Sequence, residues 1–296
     1  MPDDAASLPF VPPGAMLTAS GRQALSLVAQ HLRTRGITEL LAPAYHCTTM
    51  IEPFQLEGLH VELIPVAADL LLDPHALSAA LEGRGRCGIL HSETAGHVAG
   101  PALAAVLAAA REGGHAVVVD ETHSFLDKAL GGAGRTAGAL TAYYRVASLR
   151  KWLPLPDGAW VLGVPPRPLA RHAIDDAVTS AGLLALAAGA VEGLQGQCGR
   201  GTVGEDEDAG ELWRRAEDLV DRAIQPVAMS PQARALLAAL DVQAFLRRHR
   251  AAGSPLPFHW PRPRNLPAHI RWPDNPPADG PIHTGALGST PGTYVP

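Results

Sequence analysis

The chain has 296 residues, 47% of them hydrophobic and 18% charged, with a formal net charge of −5. That is enough apolar content for a large buried core, and there is no positive excess to hold nucleic-acid phosphates. The three cysteines, Cys47, Cys87 and Cys198, lie far apart with no CxxC pair, a pattern that gives neither a disulfide framework nor a zinc site, so a reducing cytoplasm is the expected location.

The first residues, MPDDAASLPF, are acidic and lack a basic segment followed by an apolar run, so no secretory signal is expected. From residue 17 to 165, short apolar runs alternate with helical patterns, the signature of an α/β protein with a mostly parallel sheet flanked by helices. Ser20 precedes a helix, GRQALSLVAQHL, whose Leu25, Val28, Ala29 and Leu32 share one face. Strands are expected over 39–45 and 60–66, and Asp73 with Pro74 marks the start of a helix. The pattern continues with a strand at 87–93, a helix at 101–114 and a strand at 115–123. Two more strands, 143–149 and 158–164, leave Lys151 on the loop between them.

Beyond Pro168 the pattern becomes helical, over 168–194, 211–226 and 231–249, the last opening on Ser230 and Pro231. The longest apolar stretch, 181–194, is too short to span a bilayer, and the acidic block EDED at 205–208 reads as a solvated loop. The final 46 residues contain 11 prolines and are expected to be extended or irregular. The expected organisation is a cofactor-binding α/β domain at 1–165, a helical segment at 166–250 and a Pro-rich segment at 251–296.

VVVDE at 117–121 resembles the acidic strand end of a nucleotide triphosphatase, but neither lysine is followed by Ser or Thr, which excludes a P-loop. Gly132, Gly134 and Ala137 satisfy G-x-G-x-x-A without running from a strand into a helix, so they read as a glycine loop. The 13 histidines form no metal-binding motif.

Of the 24 basic residues only two are lysines, Lys128 and Lys151. Lys151 follows a strand, and Asp120 ends another strand 31 positions earlier. Ligands of open parallel sheets sit outside the carboxyl ends of the strands, so the two side chains are placed to face one crevice. Pyridoxal 5'-phosphate asks for this pair: the lysine forms a Schiff base and the carboxylate keeps the pyridine nitrogen protonated. Ser20, Gly21 and Arg22 at a helix start, and the Ser148 hydroxyl, offer a phosphate anchor. Taken singly, Asp120 reads equally as a turn residue, Lys151 as a surface charge and Ser20 as a helix cap.

The ordered combination resembles the fold type I pyridoxal-phosphate enzymes, and within them the DegT-like (StrS-type) aminotransferases. The matching stretches are SGRQAL at 20–25, LAPAYHC at 41–47, ILHSETAGHVAG at 89–100, VVVDETHS at 117–124 and ASLRKWLPLPDGAWVL at 147–162. The resemblance implies that Lys151 carries the Schiff base and that Asp120 pairs with the pyridinium. It also implies that His123 lies near the ring oxygen, that Ser148 and Ser20–Arg22 bind phosphate, and that Tyr45, His46 or Cys47 packs on the ring face. Neighbouring Arg150 and desolvation are expected to help keep the Lys151 amine neutral.

Two departures stand against the family pattern. The C-terminal lid is expected to be reduced, and S-L-R-K is shorter than the serine-to-lysine spacing of typical sugar aminotransferases. The partners implied are a small amino donor and acceptor and a second copy of the chain, with no nucleic acid or membrane. Arg262, Arg264 and Arg271, with Trp260 and Trp272, are candidates to clamp a substrate carboxylate. Other reactions of the same cofactor, a non-catalytic binding protein on a degenerate enzyme fold, and a nucleotide-binding enzyme without this cofactor remain open on these residues.

Overall fold

In the computed structural model, residues 8–129, 144–170, 179, 180, 182, 183, 209–223 and 225–251 are described. The expected glycine loop, the arginines and tryptophans of the tail, Cys198, EDED and most of the 168–194 helix lie outside them. The chain divides into two compact units, Met1–Leu240 and Asp241–Pro296.

The first unit is built on a seven-stranded sheet: β1 (Met16–Thr18), β2 (Glu39–Pro43), β3 (His60–Ile64), β4 (Gly88–Ser92), β5 (Ala116–Asp120), β6 (Tyr144–Ser148) and β7 (Ala159–Leu162). The spatial order is β1-β7-β6-β5-β4-β2-β3. Pairings among β3, β2, β4, β5 and β6 are parallel, and β7 runs antiparallel to both its neighbours, β6 and β1. This is the mostly parallel sheet flanked by helices expected from the sequence.

Side chains alternate across the pleat and so build two cores. Leu90, Val118 and Val146 pack with α1 (Gly21–Thr34) and α2 (Thr48–Leu56). Ile89, Val117 and Val119 pack on the other face with α3 (Pro74–Leu81) and α4 (Pro101–Glu112). Asp73 caps α3 by accepting the Ala76 N–H at 2.8 Å, as its sequence signal promised. α2 has no such signal: its N-cap residue, Cys47, makes no side-chain cap bond, and Pro53 lies inside the helix.

After the strand of the central aspartate comes a short helix, α5 (Phe125–Ala129), and later α6 (Ala209–Arg222). Where one helix is expected over 231–249, the chain instead makes α7 (Pro231–Ala238), and α8 (Val242–Ala251) begins in the second unit. The Asp241 carboxylate accepts the Ala244 N–H at 2.8 Å and so restarts the helix.

Ala223 and residues 225–230 return to the start of α1. Gln23 donates to the Ala223 carbonyl at 3.1 Å and accepts the Val227 N–H at 3.3 Å, while the Ala19 N–H bonds the Val227 carbonyl at 3.1 Å.

Candidate active site

The carboxyl ends of β4, β5 and β6 lie side by side, with Ser92 opposite Asp120 and Asp120 opposite Val146. Asp120 keeps the parity of Val118, and Ser148 that of Val146, so both continue the face that carries α1. Both are buried.

Thr122 joins them. Its backbone N–H donates to Asp120 Oδ1 at 2.9 Å, and its hydroxyl accepts the Ser148 N–H at 3.0 Å. Its carbonyl accepts the indole N–H of Trp152, the residue after Lys151. Burial pushes the Asp120 carboxyl above the ordinary 3.8, while hydrogen bonds from the Thr122 hydroxyl and amide and the charge of His123 pull the other way.

His123 feels the charge of both residues singled out by the sequence. Burial first, and then the Lys151 ammonium, lower its imidazole pKa, whereas Asp120 raises it. Its Nδ1 accepts the Ala95 N–H at 3.2 Å, which places the proton of the neutral ring on Nε2. Ala95 makes this bond from a left-handed backbone, φ 53°, on the turn after β4.

The turn Leu149–Lys151 follows β6 directly. It is held by the Leu149 N–H on the Gly158 carbonyl at 3.0 Å. Gly158 itself takes φ 130°, a region that only glycine enters easily. Beside it, the buried Asp157 accepts the Thr179 hydroxyl at 2.8 Å and the Ser230 N–H at 3.0 Å. Lys151 is exposed.

Ser20 is the N-cap of α1, its hydroxyl accepting the Gln23 N–H at 3.3 Å. A Cβ on Gly21 would stand 3.1 Å from Ser148 Cβ and 3.7 Å from its Oγ, so only glycine lets the helix start approach the β6 end this closely. Arg22 is buried, with its guanidinium 3.7 Å from the Glu52 carboxylate on α2. On the loop after β2, Tyr45 is 48% exposed, Cys47 is exposed, and His46 Nδ1 is tied to the Pro43 carbonyl at 2.8 Å.

Sequence reasoning missed Thr122, although Asp-Glu-Thr-His holds the signal for an Asx turn, a carboxylate reaching the amide two residues on. It also missed the second lysine's role. Lys128 bridges the buried Glu93 at 2.7 Å and the buried Glu121 at 3.2 Å, and Arg145 grips Glu121 with two bonds of 2.6 and 2.8 Å. Glu93 also accepts the Ser124 hydroxyl. Glu121 follows Asp120 and so takes the opposite parity, which puts this charged cluster on the other face of the sheet.

Among the described residues, no group of His, Cys, Asp and Glu is arranged to hold a metal ion, and no helix is long and apolar enough to cross a membrane. A shallow polar depression of about 580 Å³, lined by Glu39, Arg84 and Arg86 among others, lies at the opposite, amino-terminal edge of the sheet. Ligands of such sheets bind at the carboxyl edge.

No family model and no curated protein matches the chain. Solved structures do. DesI, crystallised with its TDP-sugar product, is 21% identical with a TM-score of 0.47, covering 81% of this chain and 52% of its own. The sugar aminotransferase CalS13 from Micromonospora echinospora is 19% identical with a TM-score of 0.45, covering 81% and 59%. Helicobacter pylori PseC, an aminotransferase of pseudaminic acid biosynthesis, is 17% identical with a TM-score of 0.41, covering 51% and 40%. The chain thus spans about half the length of the structures it matches.

Proposed function

We propose that the carboxyl edge of this sheet is a pyridoxal 5'-phosphate site and that the protein is an aminotransferase-like enzyme. The observation that carries the reading is the Thr122 hub, which binds the buried Asp120 to Ser148 and to the turn of Lys151, with the α1 start packed against Ser148.

The residues present fit the group. The close approach at Gly21 brings the positive pole of a 14-residue helix to the Ser148 hydroxyl, a combination suited to a phosphate. Asp120, once ionised, accepts a hydrogen bond from a protonated ring nitrogen, and a cation there in turn favours its ionised form. His123, with its proton on Nε2, donates toward a ring oxygen. Lys151 supplies a primary amine, and when free it carries protons to and from a substrate carbon.

When bound, the cofactor supplies a carbonyl that condenses with amines and a ring that accepts electrons. The resemblance noted in the sequence extends the reading to a small amino donor and keto acceptor, a homodimer and a cytoplasmic location.

The test is the visible spectrum of the protein with and without added pyridoxal phosphate, followed by borohydride reduction and peptide mapping. A yellow protein with a reduction-stable pyridoxyl group on Lys151, absent in Lys151→Ala, is the expected result. A colourless protein at saturating cofactor overturns the reading.

A further inference from the structure

We infer that Thr122 is a positioning residue of this site, its backbone N–H fixing the Asp120 carboxylate and its hydroxyl the Ser148 end of β6. The inference rests on the pyridoxal-phosphate reading and concerns a residue that would not itself touch the cofactor.

The geometry divides the work among three groups of this residue. The hydroxyl accepts the Ser148 N–H at 3.0 Å. The backbone N–H donates to Asp120 Oδ1 at 2.9 Å, and the carbonyl holds Trp152. One residue therefore spans the ring-nitrogen side, the phosphate side and the lysine turn.

The hydroxyl also has an electrostatic role. Asp120 is buried, which disfavours its charged form. The charged groups acting on it are His123, which favours ionisation, and Glu121, which opposes it; its strand neighbours Ser92 and Val146 carry no charge. Thr122 is thus the neutral group that favours the carboxylate form before any cofactor arrives.

Three variants separate this role from bulk stability. Thr122→Val keeps the β-branched shape without the hydroxyl, Thr122→Ser keeps the hydroxyl without the methyl, and Thr122→Ala serves if the valine variant does not fold. Each is measured in two ways. Carboxyl 13C NMR follows the protonation of Asp120 without cofactor, and fluorescence titration gives the affinity for pyridoxal phosphate.

The expected result is a higher Asp120 protonation midpoint and an affinity loss of about tenfold or more in Thr122→Val or Thr122→Ala. Thr122→Ser should restore both toward wild type. An unchanged midpoint and affinity in folded hydroxyl-less variants, with wild type binding normally, overturns the inference and leaves the cofactor reading standing. Wild type that binds no pyridoxal phosphate overturns the cofactor reading, and the inference falls with it.

Discussion

Gly21→Ala separates stability from binding. The added Cβ lies 3.1 Å from Ser148 Cβ and 3.8 Å from its Cα. Carbon atoms pack best at about 3.5–4.0 Å, so one partner must retreat by about 0.4 Å or more. Ser148 has little freedom to do so: its N–H is held by Thr122 and its backbone pairs with Ala159 in the sheet. Overpacking of this size costs about 1 kcal/mol or more. Alanine regains up to about 1 kcal/mol over glycine in a helix. The two nearly cancel, so the urea midpoint should move little. The anchor for an anion, however, opens by the same few tenths of an ångström. The affinity for pyridoxal phosphate, read by fluorescence titration, should fall about tenfold, the loss of one hydrogen bond to a charged group. Inorganic phosphate should weaken in parallel as a competitor. A variant that binds both as tightly as wild type would show that the α1 start and Ser148 do not form the anchor.

Three further expectations concern charge. Asp120→Asn should make the cofactor-free protein more stable at neutral pH, because a folded carboxyl with a raised pKa binds more protons than the unfolded one. Its stability therefore declines as pH rises from 3.8 through the folded value, and denaturation curves of the two proteins should separate across that interval. The same variant should lose activity if the carboxylate supports a pyridinium. His91, fully buried and with both ring nitrogens unpartnered among the described residues, is held down to about 4, chiefly by burial. Against an ordinary 6.5, the unfolded chain takes up the proton first, so stability should drop by about 3 kcal/mol as pH falls from 6.5 to 4, and His91→Leu should remove that component. Finally, Lys128→Met, which leaves Glu93 buried without its cation, should cost about 3 kcal/mol in urea denaturation. Lys151→Met on an exposed turn should change the stability of the cofactor-free protein by less than about 0.5 kcal/mol. Equal losses would mean that the two lysines do not divide the work as described.

The longer strands were readable because each is a compact apolar run between turn signals, and β2 to β7 fall inside the stretches expected for them. The helix starts at Ser20, Asp73 and Ser230 were readable because each cap is a local bond to an amide three positions on. β1 escaped notice because three residues make no pattern, and its pairing with β7 is tertiary. α2 escaped because its internal proline and missing cap contradict helical propensity, which the burial of Ile51 and Phe54 overrides. In the site, Asp120 and Lys151 stood out because their chemistry is rare at strand ends. Thr122 did not, since a threonine becomes a hub only when β6 arrives beside it. The partner of Lys128 was equally hidden: Glu93 lies 35 positions away on another strand's end.

The bonds that complete the site have very different reach along the chain. Thr122 meets Ser148 and Trp152 across separations of 26 and 30 residues, so that part closes soon after β6 is made. Gln23, one turn into the helix whose start faces Ser148, waits for Ala223 and Val227, separations of 200 and 204. During synthesis from the N-terminus, the carboxylate and the lysine turn can therefore be in place while the start of α1 still lacks its brace. On the proposed reading, a chain stalled before residue 227 would carry the Lys151 amine without the brace on the helix start that is proposed to seat a phosphate.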